Sequence, residues 1–575
     1  MPCRRLNVWK LGSSVLTDTV GVRRAAHDVY RSWAEGESLV LVVSALSGRT
    51  DALLTSARAV SRRSVSPTLA AEVARGETES ACLLGLHLDR LGVPVSVLSP
   101  GALSLRASGP ALEADPVSVD VAPVERALGR GEVVLVPGYC ALDEDGRTVL
   151  LGRGGSDLSA LFLADALKAD RCLLAKDVDA LYTRDPRSVG PPLRRYARAS
   201  FDDALATDGS IVQHRAVRFA AARGRSFGLG RLGGRRPTVI GSGSTEFGDR
   251  PESSPRTTVA LLGLGTVGAG VLELLSEQAD RFELIGVAVR RLDATRDIEV
   301  PTSLLTTDTA ALASSGADLV VDTTGSPEAA TWFRSAIAHG SRVVTADKAA
   351  LAAAEPAWLL SSLGGALRGS AAAGGSVPVL ERLAEGRAVR SVRGLLNGTT
   401  NFVLDELQGG RSLDEALTEA RAAGYAEEDA SRDLHGLDAA AKLIVIARTL
   451  GDETLAIDDV GRDELGPETV ARLRSAWERG AVVRQVATLE SDDDGRLRAR
   501  VELAELNGDD PLHDVCGVEA AVVIELADGE HELLHGFGAG RWPTAASVLG
   551  DVLALTQEIE AEREALTTAE VSDVA

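Results

Sequence analysis

The chain is expected to be an α/β protein made of two parallel-sheet halves in series, and three observations predict this. Residues 1–245 alternate short apolar runs with alanine-rich amphipathic stretches, the pattern of a largely parallel sheet between helices. At Gly263, Gly265 and Gly268 an apolar strand runs through a G-x-G-x-x-G turn into an amphipathic helix, a second such unit. Between them, residues 228–256 are dense in Gly, Pro, Ser and Arg, the composition of a connection.

The 575 residues leave room for about three to four units of ordinary domain size. A net charge of −22 argues against nucleic acid or an anionic membrane surface as partner. No apolar run reaches the roughly 18 residues of a membrane span, and Met-Pro-Cys-Arg-Arg leads into a strand without a signal-peptide core. Five scattered cysteines (Cys3, Cys82, Cys140, Cys172, Cys516) form no C-x-x-C pair and read as reduced thiols. A cytoplasmic, soluble protein is expected. Only five of the 61 basic residues are lysines: Lys10, Lys168, Lys176, Lys348 and Lys442. Lysine can give and take a proton where arginine cannot, so each is a candidate for a lysine-only task.

In the first half, Leu6–Trp9, Ser38–Ser44, Val95–Leu98, Val133–Val136 and Arg171–Ala175 read as buried strands. Helical patterns lie near 51–62, 67–92 and 157–169. Three glycine-bearing loops follow strands: Lys10-Leu-Gly-Ser-Ser14, Ser44-Ala-Leu-Ser-Gly-Arg-Thr50 and Leu151-Gly-Arg-Gly-Gly-Ser-Asp157. No G-x-x-x-x-G-K-[ST] occurs, which excludes a P-loop. Free N–H groups in glycine turns, with a lysine beside them, still make an anion site.

Leu151–Asp157, together with Asp177-Val-Asp-Ala-Leu-Tyr-Thr-Arg-Asp-Pro-Arg187, resembles motifs of the amino-acid kinases, and within them the aspartate kinases. Gly76-Glu77 with Ser80, Val43-Ser44-Ala45 and Val136-Pro137-Gly138 match in order, so the resemblance covers about residues 5–245. It implies an amino-acid-kinase fold and Mg-ATP-dependent phosphorylation of the β-carboxylate of L-aspartate. Bringing two anions together is mostly a matter of positioning and charge neutralisation. By the resemblance, Lys10 neutralises the transferring phosphoryl group, and Thr50, Glu77 and Arg153 hold the amino acid. Asp157 organises the reacting centre; Asp177, Tyr182 and Arg187 contact the nucleotide.

The sequence departs from that family in places. The opening Lys10–Asp18 is closer to glutamate 5-kinases, and Lys176 stands where a nucleotide-side threonine is usual. In Gly209–His214 the family's ATP-contacting lysine is replaced by Ile211; Lys176 is expected to supply the lost charge from a neighbouring strand end. No paired regulatory domains fit before Val259, so feedback inhibition by threonine or lysine through such a site is not expected.

In the second half, the strand Phe282–Val289 ends in Arg290-Arg291 rather than an acid, which suits the 2′-phosphate of NADP over the bare ribose of NAD, with NAD still possible. Strands Ala317–Asp322 and Arg342–Thr345 end in Thr323-Thr324-Gly325 and Ala346-Asp347-Lys348. Ligands of open α/β sheets bind at such strand ends. Asp438 and Lys442 lie one helical turn apart, a spacing that by itself describes a surface ion pair.

Asp347-Lys348, Asn397-Gly-Thr-Thr-Asn401, Gly424–Asp429, Asp433–Lys442 and His535–Ser547 together resemble homoserine dehydrogenases, from residue 258 to about 560. The resemblance implies reversible hydride transfer between a nicotinamide and the aspartate semialdehyde/homoserine pair. Lys442 would be the proton donor, and Lys348 would orient substrate and cofactor. Glu427, Asp433 and Asp438 would bind the amino-acid end or orient the lysines. Gly263, Gly265, Thr266, Val267, Gly268, Arg290, Thr323, Thr324, Lys348 and Gly540 would hold the dinucleotide. Asp347 replaces an asparagine and Ala430 a proline. The family's monovalent-cation loop would present carbonyls of Ala373, Gly375 and Val377, but its glutamate falls on Ser370, which argues against cation dependence.

The expected organisation is therefore an aspartate-kinase-like domain at 1–245, a linker at 246–256 and a Rossmann dinucleotide-binding part at 257–378. An α+β catalytic and dimerisation part follows at 379–560, then a polar tail at 561–575. Two readings remain: a fused aspartate kinase–homoserine dehydrogenase without regulatory domains, serving threonine and methionine biosynthesis, or a homoserine dehydrogenase with a catalytically silent kinase-fold scaffold. Either is expected to be a homo-oligomer, a dimer or tetramer, acting on small molecules.

Overall fold

The computed structural model describes residues 5–62, 65–185, 192–207, 209, 211–248, 255–296, 298–423, 425–426, 428–492 and 494–573. The chain divides into two compact units, Cys3–Ser254 and Pro255–Ala575.

The main sheet of the first unit has nine strands among the described residues: β1 (Leu6–Leu11), β2 (Ser38–Val43), β3 (Val95–Val97), β4 (Val133–Pro137), β5 (Arg171–Lys176), β6 (Arg195–Ser200), β7 (Phe227–Arg231), β8 (Thr238–Gly241) and β9 (Glu246–Gly248). They form one sheet in the order β9-β6-β8-β7-β5-β1-β2-β4-β3. All neighbours are parallel except β7–β8 and β6–β9. Leu39 to Val43 of β2 are all buried, as in a sheet covered on both faces. Three helices carry the site: α1 (Arg49–Val60), α2 (Pro67–Arg90) and α3 (Gly155–Ala166). In α3 every residue from Gly155 to Ala164 is buried, which is why its sequence lacks an amphipathic face. The expected linker begins later than its composition predicts. Glu246–Gly248 pairs antiparallel with β6, so backbone pairing at the sheet edge recruits residues whose side chains resemble a connection.

The second unit contains two sheets. The first is wholly parallel: β10 (Thr257–Leu262), β11 (Phe282–Ala288), β12 (Leu305–Thr306), β13 (Leu319–Asp322), β14 (Arg342–Thr345) and β15 (Leu367–Arg368), in the order β12-β11-β10-β13-β14-β15. This order reverses between β10 and β13, and the crevice outside such a reversal is where a dinucleotide fits. The other sheet consists of β16 (Val389–Leu395), β17 (Gly461–Arg462), β18 (Val482–Ser491), β19 (Leu497–Leu506), β20 (Glu519–Leu526) and β21 (His531–Phe537). Its order is β17-β19-β18-β16-β20-β21, antiparallel apart from β17–β19.

The helices that matter for the site are α4 (Thr266–Ser276), α5 (Lys348–Ala353), α6 (Ser370–Gly374), α7 (Gly398–Gln408), α8 (Leu437–Thr449) and α9 (Arg541–Asp573). The last corrects two expected boundaries. Residues 561–573 continue α9 rather than forming a separate tail, and Arg563 donates to Asp318 Oδ1 at 2.6 Å. Val548, Leu549, Val552 and Leu553 of α9 pack with Val259, Leu261, Val271 and Leu275 in one buried cluster. The dinucleotide part is thus completed from the far end of the chain rather than ending at residue 378.

Candidate active sites

The glycine turn after β10 has the form a pyrophosphate needs. Gly263 has φ +93°, and a Cβ there would sit 2.9 Å from the Thr323 carbonyl carbon. A Cβ on Gly268 would lie 2.3 Å from Gly263 O, so only glycine lets α4 approach the turn. Gly265 caps α4 without a side chain and has open space around it, leaving the N–H groups of Thr266, Val267 and Gly268 for an anion. Thr323 Oγ1 donates to Leu262 O (3.2 Å) and Gly263 O (3.1 Å), tying the ends of β10 and β13 together across the switch point. Arg290 is exposed at the end of β11, beside a loop held by Arg296 donating to Leu292 O and Ala294 O. These residues fit a dinucleotide.

Downstream, two lysines meet one carboxylate. Lys348 Nζ lies 2.7 Å from Asp438 Oδ1, and Lys442 Nζ lies 3.1 Å from Asp438 Oδ2. Lys442 also donates to the carbonyl of Leu396. Asn397 Nδ2 donates to Asp433 Oδ1 (2.7 Å) and Asp438 Oδ2 (3.1 Å), while its Oδ1 caps α7 by accepting from Thr400 N. One asparagine therefore fixes both acids relative to a helix start.

The electrostatics separate the lysines. Burial opposes the charge on Lys348, but Asp438, Asp433 and Asp347 outweigh it and hold its pKa above the ordinary lysine value. Burial pushes the Lys442 ammonium down, and Lys348 adds to that against the pull of Asp438. Asp438 stays well below the usual carboxylate range: burial works against its charge, but the two lysines overcome it. Asp433 is raised, chiefly by burial. Lys348 is thus held in its charged form beside Lys442, whose lowered pKa favours giving and taking a proton.

Asp347, the asparagine replacement, is the N-cap of α5: its Oδ1 accepts from Ala349 N and Ala350 N, both at 3.0 Å. Its Oδ2 is buried without a hydrogen-bond partner. Close by, Asp322 is fully buried, accepts from Thr324 Oγ1 (2.6 Å) and Thr345 Oγ1 (2.9 Å), and is raised to about 6 by burial.

The expected cation loop is packed against α9 and β21. Ser370 Oγ and N donate to Asp551 Oδ1 (2.8 Å) and Oδ2 (3.0 Å), so this side chain is committed to α9. The Val377 carbonyl accepts from Val379 N. Glu381 is raised to about 8 by burial and by Asp551. A left-handed Gly375 (φ +64°) lets the loop press on Phe537 and Gly538, ahead of Gly540. No catalytic step is assigned to a cation.

In the first unit, the three glycine loops converge. Lys10 Nζ contacts Asp157 Oδ1 at 2.9 Å, and Lys176 Nζ contacts Asp157 Oδ2 at 3.2 Å. Glu77, 3% exposed, bonds to the Ala45 backbone and the Ser156 side chain and so links the second loop to the third. Burial raises it to about 8, and its Oε2 is left without a partner. Thr50 lies half-buried in the first turn of α1, and Arg153 is exposed in the third loop. Asp177 is exposed, whereas Tyr182 is buried and its hydroxyl donates to Asp179. Arg187 and Glu427 lie outside the described residues.

Asn397, Asp322 and Asp551 were not singled out from the sequence. Asn397 lay inside a motif but gave no sign of touching both acids. The other two form contacts across 23 and 181 positions, which no local pattern encodes.

Comparison with known proteins finds matches over both units of the chain. The family model for homoserine dehydrogenase matches residues 377–553, that for its NAD binding domain 263–362, and that for the amino acid kinase family 5–226. A homoserine dehydrogenase from Synechocystis sp. is 34% identical over 312 residues, covering 51% of this chain and 72% of that protein. An aspartate kinase from Stutzerimonas stutzeri is 35% identical over 218 residues, covering 37% of this chain and 53% of that protein. The chain therefore spans about half the length of that kinase. A solved homoserine dehydrogenase from Thiobacillus denitrificans superposes with a TM-score of 0.48 at 29% identity, over 53% of this chain and 74% of that one. The chain belongs to the homoserine dehydrogenase family and carries an amino acid kinase domain before its dehydrogenase unit, the architecture of a bifunctional aspartate kinase–homoserine dehydrogenase.

Proposed function

We propose that the chain interconverts aspartate semialdehyde and homoserine with NADP, and phosphorylates L-aspartate with Mg-ATP. The observation that carries the first activity is the Lys348–Asp438–Lys442 cluster. When bound, the nicotinamide accepts or supplies the hydride. In the oxidising direction neutral Lys442 takes the hydroxyl proton; in the reducing direction its ammonium returns a proton to the developing alkoxide. Asp438 keeps Lys442 aimed and ties it to Lys348, whose fixed charge orients the substrate's carboxylate. Glu427 and Asp433 are assigned to the substrate's amino-acid end. Arg290 supports NADP over NAD, because an exposed guanidinium rather than an acid stands where the adenine ribose is read.

The kinase reading is supported by Lys10, Asp157 and Glu77, which the fold draws into one buried site. Glu77 Oε2 suits the substrate ammonium, with Thr50 and Arg153 on the carboxylates and Asp177, Tyr182 and Arg187 on the nucleotide. This favours a working kinase over a silent scaffold. A hydroxamate assay for acyl phosphate from aspartate and ATP, with Asp157→Ala as control, tests it. Equal signals from both proteins would leave only the dehydrogenase. The reading also takes the protein as a cytoplasmic homo-oligomer, which sedimentation analysis checks.

A further inference from the structure

We propose that Lys176 is a second phosphoryl-binding lysine, which with Lys10 brackets the terminal phosphate of ATP across Asp157. The inference rests on the kinase reading above and adds a residue to it. β1 and β5 are adjacent parallel strands, with Lys10 beside Leu174 and Leu11 beside Ala175, so both lysines stand at carboxyl ends of the same part of the sheet. Both ammonium groups reach one carboxylate in the first turn of α3: Lys10 Nζ lies 2.9 Å from Asp157 Oδ1, and Lys176 Nζ lies 3.2 Å from Oδ2 and 3.4 Å from Oδ1.

The charge count is what makes the cluster informative. Two ammonium groups share one carboxylate whose side chain is 3% exposed, and the lysine side chains are 9% and 13% exposed. The neighbouring acid, Glu77, is pushed up to about 8 by its burial. Two ammonium groups on a single carboxylate in so desolvated a place leave room for a further anionic partner, because an uncompensated ion there is costly. Burial and Lys10 together already push the Lys176 ammonium down, against Asp157. Ile211 packs against the apolar core of the sheet and brings no charge. An anion between the two lysines removes the imbalance, and a polyphosphate is the anion that glycine turns accept. In the transfer itself an oxygen of the substrate's β-carboxylate bonds to the γ-phosphorus as the bond to the β–γ bridging oxygen breaks. That oxygen leaves with the electron pair on ADP, and no proton moves. Charge on the equatorial oxygens then lies between Lys10 and Lys176.

The test uses Lys176→Met and Lys176→Arg in the full chain, with acyl phosphate trapped as hydroxamate, calorimetric titration with a non-hydrolysable Mg-ATP analogue, and thermal unfolding. Lys176→Met is expected to lower kcat by about 100-fold or more and to weaken analogue binding about tenfold. Lys176→Arg should recover part of both. Tm should hold or rise in Lys176→Met, since one lysine and one carboxylate then balance. Unchanged kcat and analogue affinity in Lys176→Met would overturn the inference, as would a fall in Tm with affinity intact, the sign of a structural ion pair. If the unmodified protein makes no acyl phosphate, the kinase reading falls, and the titration still decides this one. Loss of analogue binding in Lys176→Met keeps Lys176 as a phosphate ligand; equal binding, or none by either protein, removes it.

Discussion

Asp438 and Lys442, one turn apart on α8, form a 3.1 Å ion pair whose side chains are only 12% and 7% exposed. An i,i+4 pair on a solvated face contributes a few tenths of a kcal/mol. A buried one is different in kind, because removing either partner strands a charge. Here the second partner is retained and even shared with Lys348. The arrangement holds Lys442 in one position, where the proposed proton transfer would use it.

Replacing Lys442 with Ala is expected to reduce homoserine oxidation by roughly 10²–10⁴-fold, the usual contribution of a positioned acid–base group. NADPH binding, read by fluorescence, should persist, because the glycine turn is untouched. Full activity in this variant would remove Lys442 from the chemistry.

The pH profile of oxidation should report the Lys442 ionisation. Because burial lowers its pKa, the rate should rise with pH through an ionisation below the ordinary lysine value of 10.5. Asp438 raises that pKa, so Asp438→Asn should move the rise to lower pH as well as slow the reaction. A shift to higher pH would contradict the electrostatic account.

Arg290→Ala should raise the KM for NADP about tenfold, the loss of one charge-assisted hydrogen bond, while the KM for NAD stays put. Parallel changes for both cofactors would show that Arg290 does not read the 2′-phosphate.

Asp322 ties protonation to stability. Its folded pKa of about 6 lies above its ordinary 3.8, so the folded form binds more protons than the unfolded one between those values. Its contribution is favourable at low pH and is lost as pH rises through about 6. Asp322→Asn should therefore flatten the fall of Tm over that window, measured by differential scanning calorimetry against the unmodified chain. An unchanged slope would mean that Asp322 is ionised in the fold.

Much of this was legible in the sequence because it is local. The G-x-G-x-x-G turn, the strand ending at Lys348 and the Asp438–Lys442 spacing are each set within one or two elements. Of the five lysines that scarcity singled out, the fold places Lys10, Lys176, Lys348 and Lys442 in ion pairs with Asp157 or Asp438, and Lys168 lies in neither cluster. What stayed hidden depends on contacts between distant segments. Counting within one loop predicted a missing carboxylate at Ser370, whereas Asp551 reaches that serine from α9. The edge strand Glu246–Gly248 was hidden for another reason: main-chain pairing places few demands on side chains.

The return of α9 to the parallel sheet also sets an order of assembly. Segments Cys3–Ser254 are contiguous and can bury their core as soon as they leave the ribosome. The dinucleotide half cannot, because Val548, Leu549, Val552 and Leu553 are made long after the strand Thr257–Leu262 that they cover. During synthesis its sheet face waits uncovered for some three hundred residues of translation, so stalled or truncated chains should present a finished first unit beside a sticky, unsealed second one.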